Sequence, residues 1–214
     1  LEFRRVLFRS AKDVAVFTAG GTAVAPNAFS YVDKPTVGSV SPAFGPLAAG
    51  TQISITGTNF TNLGAAATVK VGGVAATNVT LMNPTTIIAK VPAGTAGAKD
   101  VAVTTVGGSD SKAGAFTYVA VPTVSAVSPL AGPASTDTPI TITGTGFTAL
   151  GSGTTVTVGG VAATSVTLAS ATTITAKVPA GAAGAKDVVV LTAGGSVTRA
   201  DRKSTRLNSS HANI

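Results

Sequence analysis

Short stretches of alternating apolar and polar residues recur along the whole chain, and glycine, proline or asparagine separates each stretch from the next. Alternation with a period of two residues is typical of half-buried β-strands, and no window has the spacing of an amphipathic helix. Within residues 35–121 the pattern predicts seven strands, at Thr36–Val40, Gln52–Thr56, Thr68–Val71, Thr77–Leu81, Thr86–Val91, Asp100–Thr105 and Ala115–Tyr118. Seven short strands in so short a segment favour a β-sandwich.

The same alternation predicts which side chains form the core, because successive side chains of a strand point to opposite faces. Apolar residues occupy one face of each predicted strand, and Thr and Lys occupy the other. The predicted core of residues 35–121 comprises Ile53, Ile55, Phe60, Val69, Val71, Val79, Leu81, Ile87, Ala89, Val91, Val101, Val103, Phe116 and Tyr118. The equivalent set further along the chain comprises Ile140, Ile142, Phe147, Val156, Val158, Val166, Leu168, Ile174, Val178, Val188 and Val190.

An internal repeat of 87 residues determines the domain organisation. Residues 35–113 align with residues 122–200 without a gap, and 51 of the 79 positions are identical. The motif "AKDVAVFTAGG" at 11–21 returns as "AKDVAVTTVGG" at 98–108. We therefore predict the end of a preceding repeat at 11–34, a complete repeat at 35–121, and a repeat at 122–200 that lacks its last strand. The incomplete repeat should be the less stable of the two, since its edge and core face would be left uncovered.

Five of the six arginines lie in the first ten and last fourteen residues, "LEFRRVLFRS" and "DRKSTRLNSSHANI". One DNA sequence encodes DRKSTRLNSSH on one strand and LEFRRVLFRS on its complement, and it resembles a sequencing adapter. We therefore interpret residues 1–10 and 201–214 as adapter-derived artefacts and exclude them from fold prediction. Sequencing of the genomic locus should show the repeat continuing through both ends.

Without those ends the chain has nine basic and six acidic residues, so its net charge falls from +7 to +3. Residues 11–200 contain no His, Cys, Glu or Trp and no apolar run of 18 residues. The sequence therefore predicts no disulfide, no transmembrane helix and no catalytic triad. We expect no enzymatic activity, no catalytic residue and no cofactor.

Three kinds of motif have an alternative functional interpretation. Gly72–Gly73 and Gly159–Gly160 resemble phosphate-binding loops, but no Lys-Ser or Lys-Thr pair follows, so hairpin turns are favoured. Asn59 and Asn78 fit the glycosylation pattern, although Asn59 precedes a predicted core residue and more readily serves a turn. Asp33, Asp110 and Asp137 are isolated in sequence, so we predict no strong calcium site and leave a weaker site at a repeat junction open.

Several motifs together resemble the IPT/TIG domain, an immunoglobulin-like β-sandwich. They are "PTVGSVSP" at 35–42, "ITGTNF" at 55–60, "VGG" at 71–73, "VP" at 91–92 and "FTY" at 116–118, and most recur in the next repeat. The resemblance implies an all-β chain of tandem immunoglobulin-like sandwiches. The absence of cysteine from the whole chain points away from animal receptors and towards bacterial surface proteins.

The resemblance also implies a function, which is an extracellular or surface-anchored stalk or adhesive array. Its partners would be surface glycans, other cell-surface proteins and the neighbouring repeats of the same chain. The short linkers "YVDKP" at 31–35 and "YVAVP" at 118–122 favour stiff joints between repeats, and hence a rod. Loops 43–50, 61–67 and 82–85 are the candidate ligand contacts.

Two alternatives remain open. The first is a spacer inside a secreted polysaccharide-active enzyme, which the rest of the reading frame would reveal. The second is a DNA-binding module, since related domains occur in transcription factors. Lys70, Lys90, Lys99 and Lys112 are not clustered in sequence, so we expect no nucleic-acid partner.

Overall fold

The computed structural model describes residues 11–60, 68–147 and 154–200, and all regular structure in these ranges is β-strand. The predicted adapter-derived ends and loop 61–67 lie outside the described residues, so the adapter interpretation stays a prediction. A two-stranded hairpin comes first in the chain, built from β1 (Ala11–Thr18) and β2 (Gly21–Ser30).

The first complete repeat contains two sheets. Its strands are β3 (Thr36–Ser41), β4 (Phe44–Pro46), β5 (Gln52–Thr58), β6 (Thr68–Val71), β7 (Val74–Ala75), β8 (Thr77–Asn83), β9 (Thr86–Lys90), β10 (Gly97–Thr105) and β11 (Gly108–Val119). One sheet has the order β3-β5-β9-β8, and the other has the order β4-β11-β10-β6-β7. Antiparallel neighbours dominate both sheets, and the pairing of β4 with β11 is parallel.

The second repeat has the same plan with fewer strands described. Its strands are β12 (Thr123–Ser128), β13 (Thr138–Thr145), β14 (Thr155–Val158), β15 (Val161–Ala162), β16 (Thr164–Ser170), β17 (Thr173–Val178), β18 (Val188–Thr192) and β19 (Gly195–Arg199). The sheets have the orders β12-β13-β17-β16 and β15-β14-β18-β19. The fold is therefore all-β, with tandem immunoglobulin-like sandwiches on an 87-residue repeat.

The alternation of apolar and polar residues correctly predicted the central residues of the core. Of the predicted residues, those on the inner strands and the three phenylalanines are buried, and Tyr118 is 2% exposed. Six residues are only partly buried: Val79, Leu81, Val158, Val166, Leu168 and Val178. Val79, Leu81, Val166 and Leu168 lie on β8 and β16, which are edge strands and have a neighbour on one side only.

The largest differences between the predicted and the observed strands concern two short strands and the last strand of the repeat. The short strands β4 and β7 were not predicted, because three and two residues are too few to show alternation. The last strand was predicted at Ala115–Tyr118, but β11 begins at Gly108. Its first half, "GSDSKAG", contains no apolar alternation, so pairing with β10 rather than local pattern determines its extent.

Candidate functional site

The two glycine pairs form hairpin turns. Gly72 and Gly73 have φ values of 58° and 83°, and Gly159 and Gly160 have values of 58° and 82°. Two successive residues with positive φ define the tight turn that matches the twist of the flanking strands, here β6–β7 and β14–β15. The structural interpretation of these glycines is confirmed, because the geometry is that of a two-residue turn and not of a phosphate loop.

The asparagines of the glycosylation patterns also occupy special backbone positions. Asn59 has a φ of 57°, and its side-chain amide donates a hydrogen bond to the Lys34 carbonyl at 3.0 Å. Asn78 has a φ of 50°, and Ser165 has the same value at the equivalent position of the second repeat. Asn59 therefore has a structural role, since its side chain holds the segment that precedes β3.

Asp110 lies on β11, and its side chain contacts the residues at the start of the first complete repeat. Its carboxylate accepts a hydrogen bond from the Val37 backbone N–H at 2.8 Å, and Lys34 Nζ lies 3.7 Å from its other oxygen. The Val37 hydrogen bond lowers the pKa of Asp110, burial opposes this, and the charge of Lys34 lowers it further. Both carboxylate oxygens of Asp110 therefore have protein partners, and the side chain links β11 to the residues that begin the repeat.

The Asp of the first two "AKD" motifs binds the backbone of the strand that follows it in the chain. Asp13 accepts a hydrogen bond from the backbone N–H of Asn27, and Asp100 accepts one from the backbone N–H of Gly114, both at 2.9 Å. Asn27 and Gly114 have φ values of 55° and 58°, so each aspartate binds a residue in the left-handed region. Sequence reasoning missed this role, although the motif's repetition was a signal for it.

The other predicted acidic residues do not come together. Asp137 accepts a hydrogen bond from the Ala180 backbone N–H at 3.3 Å, and the Asp33 carbonyl lies against Gly107. Within residues 11–60, 68–147 and 154–200, no group of three or more His, Cys, Asp or Glu side chains is placed to hold a metal ion. The same ranges contain no helix long and apolar enough to cross a bilayer.

The loops predicted as ligand contacts have different structures. Residues 43–50 include the strand β4, so three of the eight residues of this predicted loop are part of a sheet. The segment after β8 is a tight turn in which the Asn83 side chain accepts hydrogen bonds from the Thr85 backbone N–H and hydroxyl, at 2.9 and 2.8 Å. Phe44 and Met82 are exposed on these two segments.

The two linkers lie close to glycines in the repeats that follow them. A Cβ added to Gly107, in the turn between β10 and β11, would lie 2.2 Å from the Asp33 carbonyl oxygen. A Cβ on Gly194, in the turn between β18 and β19, would lie 2.1 Å from the Ala120 carbonyl oxygen. Only glycine allows the linker backbone to approach so closely, so each linker is packed against the last hairpin of its own following repeat.

The IPT/TIG domain family model matches the chain twice, at residues 35–118 and 122–205. The chain belongs to the IPT/TIG domain family. The second match includes five residues of the predicted adapter-derived end. The missing cysteines do not affect this assignment, since the sandwich is held by its apolar core. A search of curated proteins finds no significant sequence match.

Several solved structures are similar to this chain. The plexin A4 extracellular region is 23% identical with a TM-score of 0.50, and the likeness covers 77% of this chain and 17% of plexin. SGBP-B from a xyloglucan utilization locus of Bacteroides uniformis is 24% identical with a TM-score of 0.36, covering 78% and 48%. The surface glycan-binding protein PbSGBP-B from Prevotella bryantii is 19% identical with a TM-score of 0.35, covering 77% and 41%. The chain therefore spans less than half the length of each, and the likeness to plexin A4 shows the fold alone.

Proposed function

We propose that the chain is part of an extracellular or cell-surface protein in which IPT/TIG repeats act in series as a non-catalytic stalk or adhesive array. The observation that carries this proposal is the repeated packing of each linker against a glycine of the following repeat. A linker held in this way transmits force directly into the sheets. Residues 11–200 also lack His, Cys and Glu, which supply most acid–base and nucleophilic catalysis.

Extension of the full chain between two tethered ends tests the mechanical role. Each IPT/TIG repeat should unfold in a separate force peak, releasing about 0.36 nm of contour length per residue. Substitution of Gly107 and Gly194 by valine should lower the unfolding forces, because the linkers can no longer pack. Extension without force peaks would contradict a load-bearing role.

The alternative in another class is a spacer within a secreted polysaccharide-active enzyme. The two proposals differ in what shares the reading frame with the repeats. The complete gene should contain further IPT/TIG repeats or a surface anchor if the chain is a stalk, whereas a hydrolase domain beside the repeats would favour the spacer.

Surface glycans are the partner class that we propose for an adhesive array. Phe44 and Met82 present apolar surface to solvent on two segments predicted to contact ligands. An aromatic ring of this kind offers a face on which a sugar ring can stack. On a glycan array, the full chain should bind and Phe44→Ala should weaken binding. Val74→Ala is the control and should not weaken binding, because Val74 is also exposed but lies on β7, outside the predicted contact loops. An array without signal would contradict glycan binding. It would not affect the mechanical role, which the extension experiment tests separately.

A further inference from the structure

The strand β8 contains one residue more than its neighbour β9 between two of their paired positions. Thr77 pairs with Lys90 and Thr80 pairs with Ile88, so three steps along β8 match two steps along β9. Asn78, within this interval, has a φ of 50°. An extra residue in one strand of an antiparallel pair is a β-bulge, which bends the strand and interrupts its row of backbone hydrogen-bonding groups.

A second bulge follows in the same strand. Leu81 pairs with Ile87 and Asn83 pairs with Thr86, so two steps along β8 match one step along β9, and Met82 is the extra residue. The Met82 side chain is 63% exposed. The seven residues of β8 therefore include two bulges, and the strand does not present a straight edge.

The equivalent strand of the second repeat, β16, has the same two bulges with different residues. Its register with β17 is irregular at the corresponding positions, where the extra residues are Ser165, with a φ of 50°, and Ala169. The strands read "TNVTLMN" and "TSVTLAS", so Thr, Val, Thr and Leu are identical while both bulge residues differ. Serine rarely adopts a positive φ, so the second repeat keeps the bulge with a residue that is poorly suited to it.

The first bulge is not needed to direct the apolar side chains of β8 towards the core. Without Asn78, Val79 would lie opposite the buried Ala89, and Thr80 and Leu81 would keep their present partners. The strand would then alternate between polar and apolar residues along its whole paired length. Removal of a single residue is therefore compatible with a regular strand on the same core.

The strand β8 is a sheet edge that has no other protection. It ends the order β3-β5-β9-β8, pairs only with β9 among the described strands, and contains neither a charged residue nor proline. Free backbone groups of an edge strand can pair with another chain, and short strands, charges, proline or bulges prevent this. The other edges of this repeat are protected differently, since β4 and β7 have three and two residues and Asp110 binds the Val37 N–H of β3.

We propose that the paired bulges of β8 and β16 prevent these edges from pairing with the same edges of a second copy of the chain. The two repeats are identical at 51 of 79 positions, so every copy offers matching edges to every other copy. Misassembly between similar units is a characteristic failure of repeat proteins. With the first bulge removed, β8 would offer a straighter, uncharged edge to a second copy. This protection would operate whether or not the chain acts as a stalk.

Sedimentation velocity of the full chain over a wide concentration range tests the proposal with two deletion variants. Deletion of Asn78 removes the first bulge, and deletion of Met82 removes the second. Each deletion should lower the midpoint concentration of self-association about tenfold or more relative to the wild type, because a straighter edge allows additional backbone hydrogen bonds between copies. Asn78→Gly is the matched control, since glycine adopts a positive φ readily and keeps the bulge, and it should sediment as the wild type does.

Two lysine substitutions in the Asn78 deletion variant locate the contact between copies. Thr80 is exposed on β8, so Thr80→Lys places a charge on the pairing edge and should restore the sedimentation of the wild type. Ser109 is exposed on β11, in the other sheet, so Ser109→Lys adds the same charge elsewhere and should restore nothing.

Three results would overturn the proposal. The first is that both deletion variants sediment as the wild type does, because the bulges would then not limit pairing. The second is that the two lysines act equally, which would assign the association to net charge or to another surface. The third is loss of the cooperative thermal transition in both deletion variants, which would show that the fold itself requires the bulges.

Discussion

Three backbone positions with positive φ recur between repeats with different side chains. Asn27 and Gly114 occupy one position, Asn59 and Gly146 a second, and Asn78 and Ser165 a third. Asparagine and glycine are the residues that most readily adopt this left-handed conformation. The backbone conformation at each of these positions is therefore the same in both repeats, whereas the residue that adopts it differs.

Gly114 offers a direct test of this relation. Gly114→Val should destabilise the repeat by about 1–2 kcal/mol or more, because a β-branched residue is poorly compatible with a φ of 58°. Gly114→Asn should be tolerated, since Asn27 takes the same conformation beside the equivalent aspartate, Asp13. Urea denaturation midpoints of the two variants measure the difference. Equal midpoints would show that the φ of residue 114 does not limit the choice of residue there.

Asp110 should make stability depend on pH in one direction. Its pKa is lowered in the folded state, mainly by the Val37 hydrogen bond, so its contribution is complete above the ordinary carboxyl pKa of about 4 and is lost as pH falls through the lowered value. Wild type and Asp110→Asn should therefore differ in urea midpoint at neutral pH and converge in acid. Lys34→Gln should have the smaller effect, because it retains the Val37 hydrogen bond. A difference that grows in acid would contradict this role.

At the scale of strands, the sequence was informative wherever alternation was long enough. Strands such as β5 and β9, whose apolar residues alternate with Thr, Ser or Lys, were predicted within two residues of their observed ends. The strand β4 could not be predicted from "FGP", since it exists only because β11 runs beside it in parallel. At the candidate site, the glycine hairpin turns could be predicted from the sequence. The hydrogen bonds of Asp13, Asp100 and Asp110 could not, because their partners are 14 to 73 residues away along the chain.

Hydrogen exchange should distinguish two equivalent segments of the repeats, one inside β10 and one outside any strand. The backbone amides of residues 97–99 lie within β10 and should exchange slowly, whereas those of residues 184–186, which are outside any strand, should exchange much faster. The sequences of the two segments are both "GAK", so intrinsic exchange rates are matched. The comparison is made within one full chain. Equal protection would show that residues 184–186 are as strongly hydrogen-bonded in solution as the start of β10.

At the scale of the whole molecule, charge is distributed unevenly along the sequence. Five arginines lie in residues 1–10 and 201–214, whereas the lysines of residues 11–200 are spread over the strands and turns of two repeats. Affinity for DNA depends on several phosphate contacts made together, so adjacent charges such as Arg4 and Arg5 matter more than isolated ones. The total charge of +7 is therefore a poor guide to the IPT/TIG repeats themselves.

Two variants with the same charge separate these contributions. Replacing the five terminal arginines by glutamine removes five positive charges and lowers the net charge from +7 to +2, and so does replacing Lys70, Lys90, Lys99, Lys177 and Lys186. We expect any low-salt binding of duplex DNA to be weak, and to be lost in the arginine variant but retained in the lysine variant. Fluorescence anisotropy at several salt concentrations measures both, because the slope of log affinity against log salt reports the number of phosphate contacts. Loss of binding in the lysine variant alone would assign nucleic-acid recognition to the folded repeats, and would favour the DNA-binding alternative over the stalk.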